Sequence, residues 1–247
     1  MQYLKPAAFL FTVLLAWQLI AYSGIVSEAL FPPPLDVAEA GAKWFSSGNL
    51  LKDVFTSTWR MAIGSAIGST IGIVLGLAMG RMLFFEETVA PLVHVVRAMP
   101  PVALIPLVIL WLGIGDVAKI LSIAFAVFFP VWLSVLVGAK TVHVDYIKAA
   151  KVFSKSSAET FRKVIFPAVI PFIINGVRIG IGVAFIMVFV SELAGASSGI
   201  GYFIATAQTI YRADMMIAGL IVLGLLAALT DYLFTRCAKQ AFPWAEL

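Results

Sequence analysis

Six runs of predominantly apolar residues, each about long enough to cross a bilayer, divide the chain, and this recurrence constrains the fold more than any other feature. Inside lipid a backbone must satisfy its own N–H and C=O groups, so a spanning chain is either helical or a closed barrel, and runs of this length select helices. They lie at about Ala7–Ile25, Trp59–Met79, Thr88–Leu112, Val117–Val137, Val164–Val190 and Met215–Phe234. The expected fold class is therefore all-α integral membrane, with residues 1–247 forming a single transmembrane domain. The first run follows Lys5 and is read as an uncleaved span, because no small-x-small site leads into a soluble domain.

Composition removes the other classes. The chain is 62% hydrophobic and 12% charged, whereas soluble domains carry about 25% charged residues. Its net charge of +4 gathers at span ends and in one loop, so the charge reports membrane topology rather than a nucleic-acid footprint. The single cysteine, Cys237, excludes an internal disulfide and a cysteine-based metal cluster. His94 and His143 have no neighbours that suggest a metal site or a triad, and no GxxxxGK[ST] loop is present to hold ATP. The expectation is a chain that is not an enzyme and binds no metal or cofactor.

One polar island interrupts the pattern. From Lys140 to Pro167 the chain carries Lys140, Lys148, Lys151, Lys155, Arg162 and Lys163 against only Asp145 and Glu159. With the N-terminus inside, basic residues crowd the inner segments and thin out in the outer ones, which predicts a cytoplasmic island and both termini in the cytoplasm. Asp145 is expected to cap a helix through Phe153, and Ser156 with Glu159 reads as a capping box for a second helix running into Pro167. Ala149 and Ala150 flatten one face of the first helix and Phe153 follows one turn later, a pattern suited to a groove on another protein. The same pattern also suits a helix resting on anionic lipid.

The spans carry their own signals. Gly64, Gly68, Gly72, Gly76 and Gly80 recur every fourth residue, which predicts a face for close helix packing, with pore lining as the alternative. Met99-Pro100-Pro101 and Pro106 interrupt the third span and free carbonyls that need protein or a wet cavity. Ser191 to Ala213 reads as a glycine-rich loop. Arg97, Arg178, Glu192 and Asp231 are ionisable groups at or near membrane depth, where such residues face a cavity or a partner. Arg97, Met99, Pro100, Arg178 and Glu192 are the candidate pathway residues, and an Arg178–Asp231 ion pair is the alternative use of two of these charges.

Lys148-Ala149-Ala150, then Ser154 after three residues, then Val164-Ile165-Phe166-Pro167 after nine more, resembles the EAA loop of ABC importer permeases, whose pattern is Glu-Ala-Ala, Gly and Ile-x-Leu-Pro at those spacings. Phe31-Pro32-Pro33-Pro34, Arg97-Ala98-Met99-Pro100-Pro101, Trp111-Leu112-Gly113-Ile114-Gly115 and Glu192-Leu193-Ala194-Gly195 through Tyr202 are similar to the nitrate, sulfonate, taurine and bicarbonate branch of that family. The resemblance implies a type I ABC importer permease of six transmembrane helices, with a cytoplasmic coupling helix between spans four and five, in the bacterial inner membrane. It implies two cytoplasmic ATPase subunits holding ATP and Mg, a second copy of the permease, an external solute-binding protein, and membrane lipid but no nucleic acid as partners. Lys148, Ala149, Ala150, Phe153, Ser154 and Lys155 would form the ATPase-docking surface. Lys148 replaces the family's glutamate and Ser154 its glycine, so any salt bridge made by that carboxylate is absent or reversed here. The rival expectation is an ion-coupled secondary transporter or channel acting without an ATPase.

Overall fold

The computed structural model describes residues 4–24, 26–153 and 156–245, and these contain helices and turns but no strand. Helix α1 (Leu4–Tyr22) leads through the triple proline into α2 (Pro34–Ser46), where Pro34 takes the first helical position, its missing N–H costing nothing there. Trp17 Nε1 donates to Pro32 O at 3.1 Å and ties α1 to this corner. The next helix, α3 (Asn49–Arg81), is 33 residues long and begins ten residues before the expected second span. Lys52 and Asp53 lie in that added stretch, outside the expected span, and Arg60 lies at the start of that span. The structure buries Asp53 and Arg60 against the rest of the bundle.

The proline-rich third span is a broken one. Helices α4 (Leu83–Thr88) and α5 (Ala90–Arg97) precede a 3₁₀ turn at Pro101–Leu104, and α6 (Ile105–Leu112) follows. The chain bends by 85° between Ala90–Arg97 and Pro101–Leu112. Pro100 and Pro101 supply no backbone donor and push the residue before each toward extended geometry, so the helix cannot run through them.

Helix α7 (Asp116–Thr141) is the centre of the molecule, packed by α3 on one side and by α10 on the other. The glycine stripe of α3 makes the first contact. A Cβ at Gly64 would lie 2.7 Å from Ile123 Cβ, and one at Gly76 would lie 2.9 Å from Trp132 O, so the two backbones meet where no side chain fits. The stripe is a packing face, and the pore-lining alternative falls. Ile123, Val127, Val131 and Val135 are fully buried in this core, and Trp132 Nε1 points to Met79 Sδ at 2.9 Å.

The island is two helical pieces. Helix α8 (Val144–Phe153) begins one residue before the expected cap, so Asp145 sits in the first turn and its N–H donates to His143 Nδ1 at 3.4 Å. Ser154 and Lys155, both expected at the docking surface, lie outside the described residues. Ser156 then caps α9 (Ser157–Thr160), its hydroxyl accepting the Glu159 N–H at 3.2 Å as the capping box predicts. A π-helical turn, Phe161–Ile165, feeds directly into α10 (Phe166–Leu193), giving one helical run of 37 residues from Ser157 to Leu193.

The expected loop at Ser191–Ala213 is largely helical. α10 continues to Leu193, a turn holds Gly195 and Gly199 at positive φ, and α11 (Ile200–Thr209) precedes the long α12 (Ala213–Ala241). The glycine-rich turn and the short link at 210–212 are the non-helical parts of this stretch. Four helices among the described residues are long and apolar enough to cross a membrane, or five if the bent pair is one span, and α1 adds a shorter apolar run at Ala8–Tyr22.

Candidate functional site

Two ends of the bundle gather polar residues, and they differ in kind. At the end opposite the island, Asp53, Ser57 and Arg60 stand at i, i+4 and i+7 on α3, continuing upward the stripe occupied below by Gly64, Gly68 and Gly72. All three, with Glu192, are at most 7% exposed. Arg60 Nη1 donates to Glu192 Oε1 and to the Ser198 carbonyl, each at 2.7 Å, while Nε donates to Asp116 Oδ1 at 2.8 Å. Ser57 Oγ lies 2.9 Å from both Glu192 oxygens and accepts the Ile200 N–H at 2.9 Å. Asp53 accepts the Gly199 N–H at 2.8 Å and the Trp44 indole N–H at 3.1 Å, and Glu192 Oε2 accepts the Gly201 N–H at 2.9 Å.

The cluster thereby satisfies the first amides of α11, which have no partner within their own helix. Two carboxylates at the positive end of that helix are also favoured by its dipole. A side chain at Gly199 would collide with the Glu192 carboxylate, and Gly199 has φ +119°, so both space and backbone require glycine. Lys119 lies beside the cluster, 4% exposed, and donates to Gly115 O at 3.2 Å. Glu192, expected along the pathway, is thus at the centre of a buried network rather than on an open wall.

A cavity of about 470 Å³ adjoins this network, lined among others by Trp44, Lys52, Asp53, Ser197, Ser198 and Tyr202. Trp44 stacks flat on Phe203 with ring centroids 3.7 Å apart and forms its firm side. Lys43 donates to Glu39 at 2.6 Å and holds that carboxyl below its ordinary range. Arg212 gains basicity from its hydrogen bond to Asp214.

The island end is open. Lys148 is exposed and 3.9 Å from Asp145, and Lys163 pairs with Glu159 at 2.8 Å on the surface. Phe153 is 87% and Val152 79% exposed, two apolar side chains at the C-terminal end of α8. Ala149 is exposed and Ala150 half-buried on the same helix. Lys140 reaches Glu86 at 2.6 Å and ties the end of α7 to α4.

The remaining candidates separate. Arg97, Met99 and Pro100 are exposed together at the 85° bend, and Met99 borders an apolar groove of about 750 Å³ between α3, α5, α6 and α7. Arg178 instead makes a bidentate pair with Asp231 at 2.7 and 2.8 Å, which joins α10 to α12. That pairing is the alternative foreseen for the two residues. Asp53, Ser57, Arg60 and Asp116 are not among the residues the sequence singles out, although the helix face that carries the glycines, extended toward the N-terminus at about 3.6 residues per turn, passes close to the first three.

A family model described as "Binding-protein-dependent transport system inner membrane component" matches residues 68–241. The chain belongs to this family. Permeases of known name align over nearly its whole length. The Bacillus subtilis protein SsuC, named for aliphatic sulfonates transport, is 32% identical over 94% of this chain and 84% of its own. The taurine transport system permease protein TauC of Escherichia coli is 32% identical over 94% and 86%, and the nitrate import permease protein NrtB of Synechocystis is 30% identical over 92% and 85%. In three dimensions, a chain of the methionine ABC transporter MetNI in an inward-facing conformation superposes with TM-score 0.68 over 79% of this permease and 97% of that chain. At 20% identity that likeness establishes the fold alone.

Proposed function

We propose that this permease is the translocation subunit of an ATP-driven importer for a small anion, with an aliphatic sulfonate, taurine or nitrate as substrate. The observation that carries the reading is the near full-length similarity to permeases named for those three substrates, each of which bears a sulfonate or nitrate group. In this reading α1, α3, the bent α5–α6 pair, α7, α10 and α12 are the six spans. Helix α8 is the coupling helix, offering Ala149, Ala150 and Phe153 with Lys148 and the adjoining Ser154 and Lys155 to a groove on a cytoplasmic ATPase. Two such ATPases bind ATP and Mg, two copies of the permease enclose the pathway, and an external solute-binding protein delivers the anion. Both termini are cytoplasmic in this reading, which the distribution of basic residues supports.

The permease contributes no bond-making chemistry. Closure of the ATPase pair moves the coupling helices, and the two permeases rock between inward-open and outward-open arrangements. Arg97 and Met99-Pro100, exposed at the break, stand along the pathway and give the anion a shallow station, which suits a conduit that must also release. The ion-coupled alternative loses its main support, because Asp231, its mid-depth acid, is bound by Arg178.

The test is reconstitution into proteoliposomes with the cognate ATPase and binding protein, followed by uptake of labelled taurine, ethanesulfonate and nitrate. Uptake of at least one that needs both ATP and the binding protein is expected, and uptake driven by an ion gradient without ATP overturns the reading. Orientation is tested in a Cys237→Ser background. A cysteine at Ser197 should react with an impermeant thiol reagent on intact cells, and one at Val152 should not.

A further inference from the structure

Four polar groups on three consecutive peptide units, from the Ser198 carbonyl to the Gly201 N–H, are each held by a side chain of α3 or α10. Asp53, Ser57 and Glu192 take the three N–H groups. Arg60 takes the carbonyl and, with the rest of its guanidinium, reaches Asp116 at the start of α7 and Glu192 at the end of α10. Three helices and the turn therefore meet on one planar group. A lysine cannot reproduce this, since its single ammonium lacks the fixed fork that serves acceptors lying in different directions.

Arg60 does not line the far-end cavity, whereas Ser197, Ser198, Tyr202 and Phe203, which follow the held carbonyl or flank it, do. The position of that wall is thus decided by a residue buried behind it. We propose that Arg60 is a positioning residue of transport: its three-way fork sets the Ser197–Phe203 wall of the far-end cavity, and that wall is part of the surface along which the anion enters the pathway. The inference rests on the importer reading above. Asp116 is the arm that tunes it, because its side chain is 59% exposed while those of Arg60 and Glu192 are 4% and 0% exposed. Removing Asp116's charge loosens the fork and leaves the buried Arg60–Glu192 pair in place.

The experiment uses the complete complex in a Cys237→Ser background, with a cysteine at Ser197 as reporter in a parallel set. Arg60→Lys is compared with the unaltered residue for assembled complex, basal ATP hydrolysis, uptake of whichever labelled anion the unaltered complex transports, and reaction of the reporter with a negatively charged methanethiosulfonate. The expected result is assembled complex with basal hydrolysis within about twofold, uptake per complex reduced about tenfold with a raised half-saturating concentration, and reporter reactivity shifted severalfold. A merely structural arginine would lower the amount of complex and leave both per-complex readouts alone. Where Arg60→Lys does not assemble, Asp116→Asn carries the test, with the same changes expected at about threefold. Unchanged uptake per complex and unchanged reporter reactivity in the variant that assembles overturn the proposal. Absence of ATP-dependent uptake by the unaltered complex is a different failure, which removes the importer reading and this inference with it.

Discussion

The two polar ends of this permease use charge in opposite ways. At the far end, Arg60 and Glu192 are removed from solvent, bond to each other, and are held further by the Ser198 carbonyl, Ser57 and the Gly201 N–H. At the island, Lys148 and Lys163 sit in solvent beside single carboxylates, and the most exposed side chains nearby are apolar. A buried ion pair contributes little net stability, but removing one member leaves the other uncompensated, so it enforces geometry. An exposed pair enforces almost nothing. The difference teaches where the molecule holds itself together and where it leaves a surface for something else.

The sharpest way to break this contrast is Glu192→Ala. It takes one of two carboxylates from the Arg60 guanidinium and the only partner from the buried Gly201 amide, and a loss of about 3 kcal/mol is expected. Thermal unfolding of the detergent-solubilised protein measures it, and a melting temperature unchanged from the parent would refute the buried-cluster account. Ala150→Glu should do the reverse, leaving the melting temperature alone while introducing a charge into the proposed docking face on α8. Uptake per permease should fall about tenfold or more, because an unpaired charge desolvated in an interface costs several kcal/mol. Wild-type uptake together with normal ATPase co-purification would remove α8 from that face.

Arg97→Ala should lower uptake severalfold at unchanged protein yield, with Arg97→Lys recovering part of it by keeping the charge. Equal uptake by both variants and the parent would take Arg97 out of the pathway. The smallest effect belongs to Lys163→Ala, which removes an exposed i,i+4 pair with Glu159 and should change stability by no more than about 0.5 kcal/mol. A larger loss there would mean that the island is held more rigidly than its surface pairs imply.

Much of this was legible in the sequence for physical reasons. Long apolar runs announce helices because lipid offers the backbone no partner, and the four-residue glycine period announces the α3–α7 seam because only glycine admits such an approach. The Ser156–Glu159 cap could be read locally because both halves lie within one turn. The far-end cluster could not. Ser57 and Ile200 are 143 positions apart in the chain, and nothing near Ile200 indicates that its amide will be met by α3. For the same reason the sequence of α11 reads as loop: the groups that cap it come from two other helices. Arg178 and Asp231 were pairable on paper, but only the packing of α10 against α12 decides that they meet.

The run from Ser157 to Leu193 gives the molecule a mechanical property. At 37 residues and about 1.5 Å per residue it is a shaft roughly 55 Å long, with the basic island at one tip and Glu192 at the other. Tilting a shaft of that length by about 5° about one tip carries the other through about 5 Å. Its π-helical turn, Phe161–Ile165, and the proline inside α10, Pro171, both lie near the island, so a tug on that tip is absorbed there before the rest is handed to the opposite face.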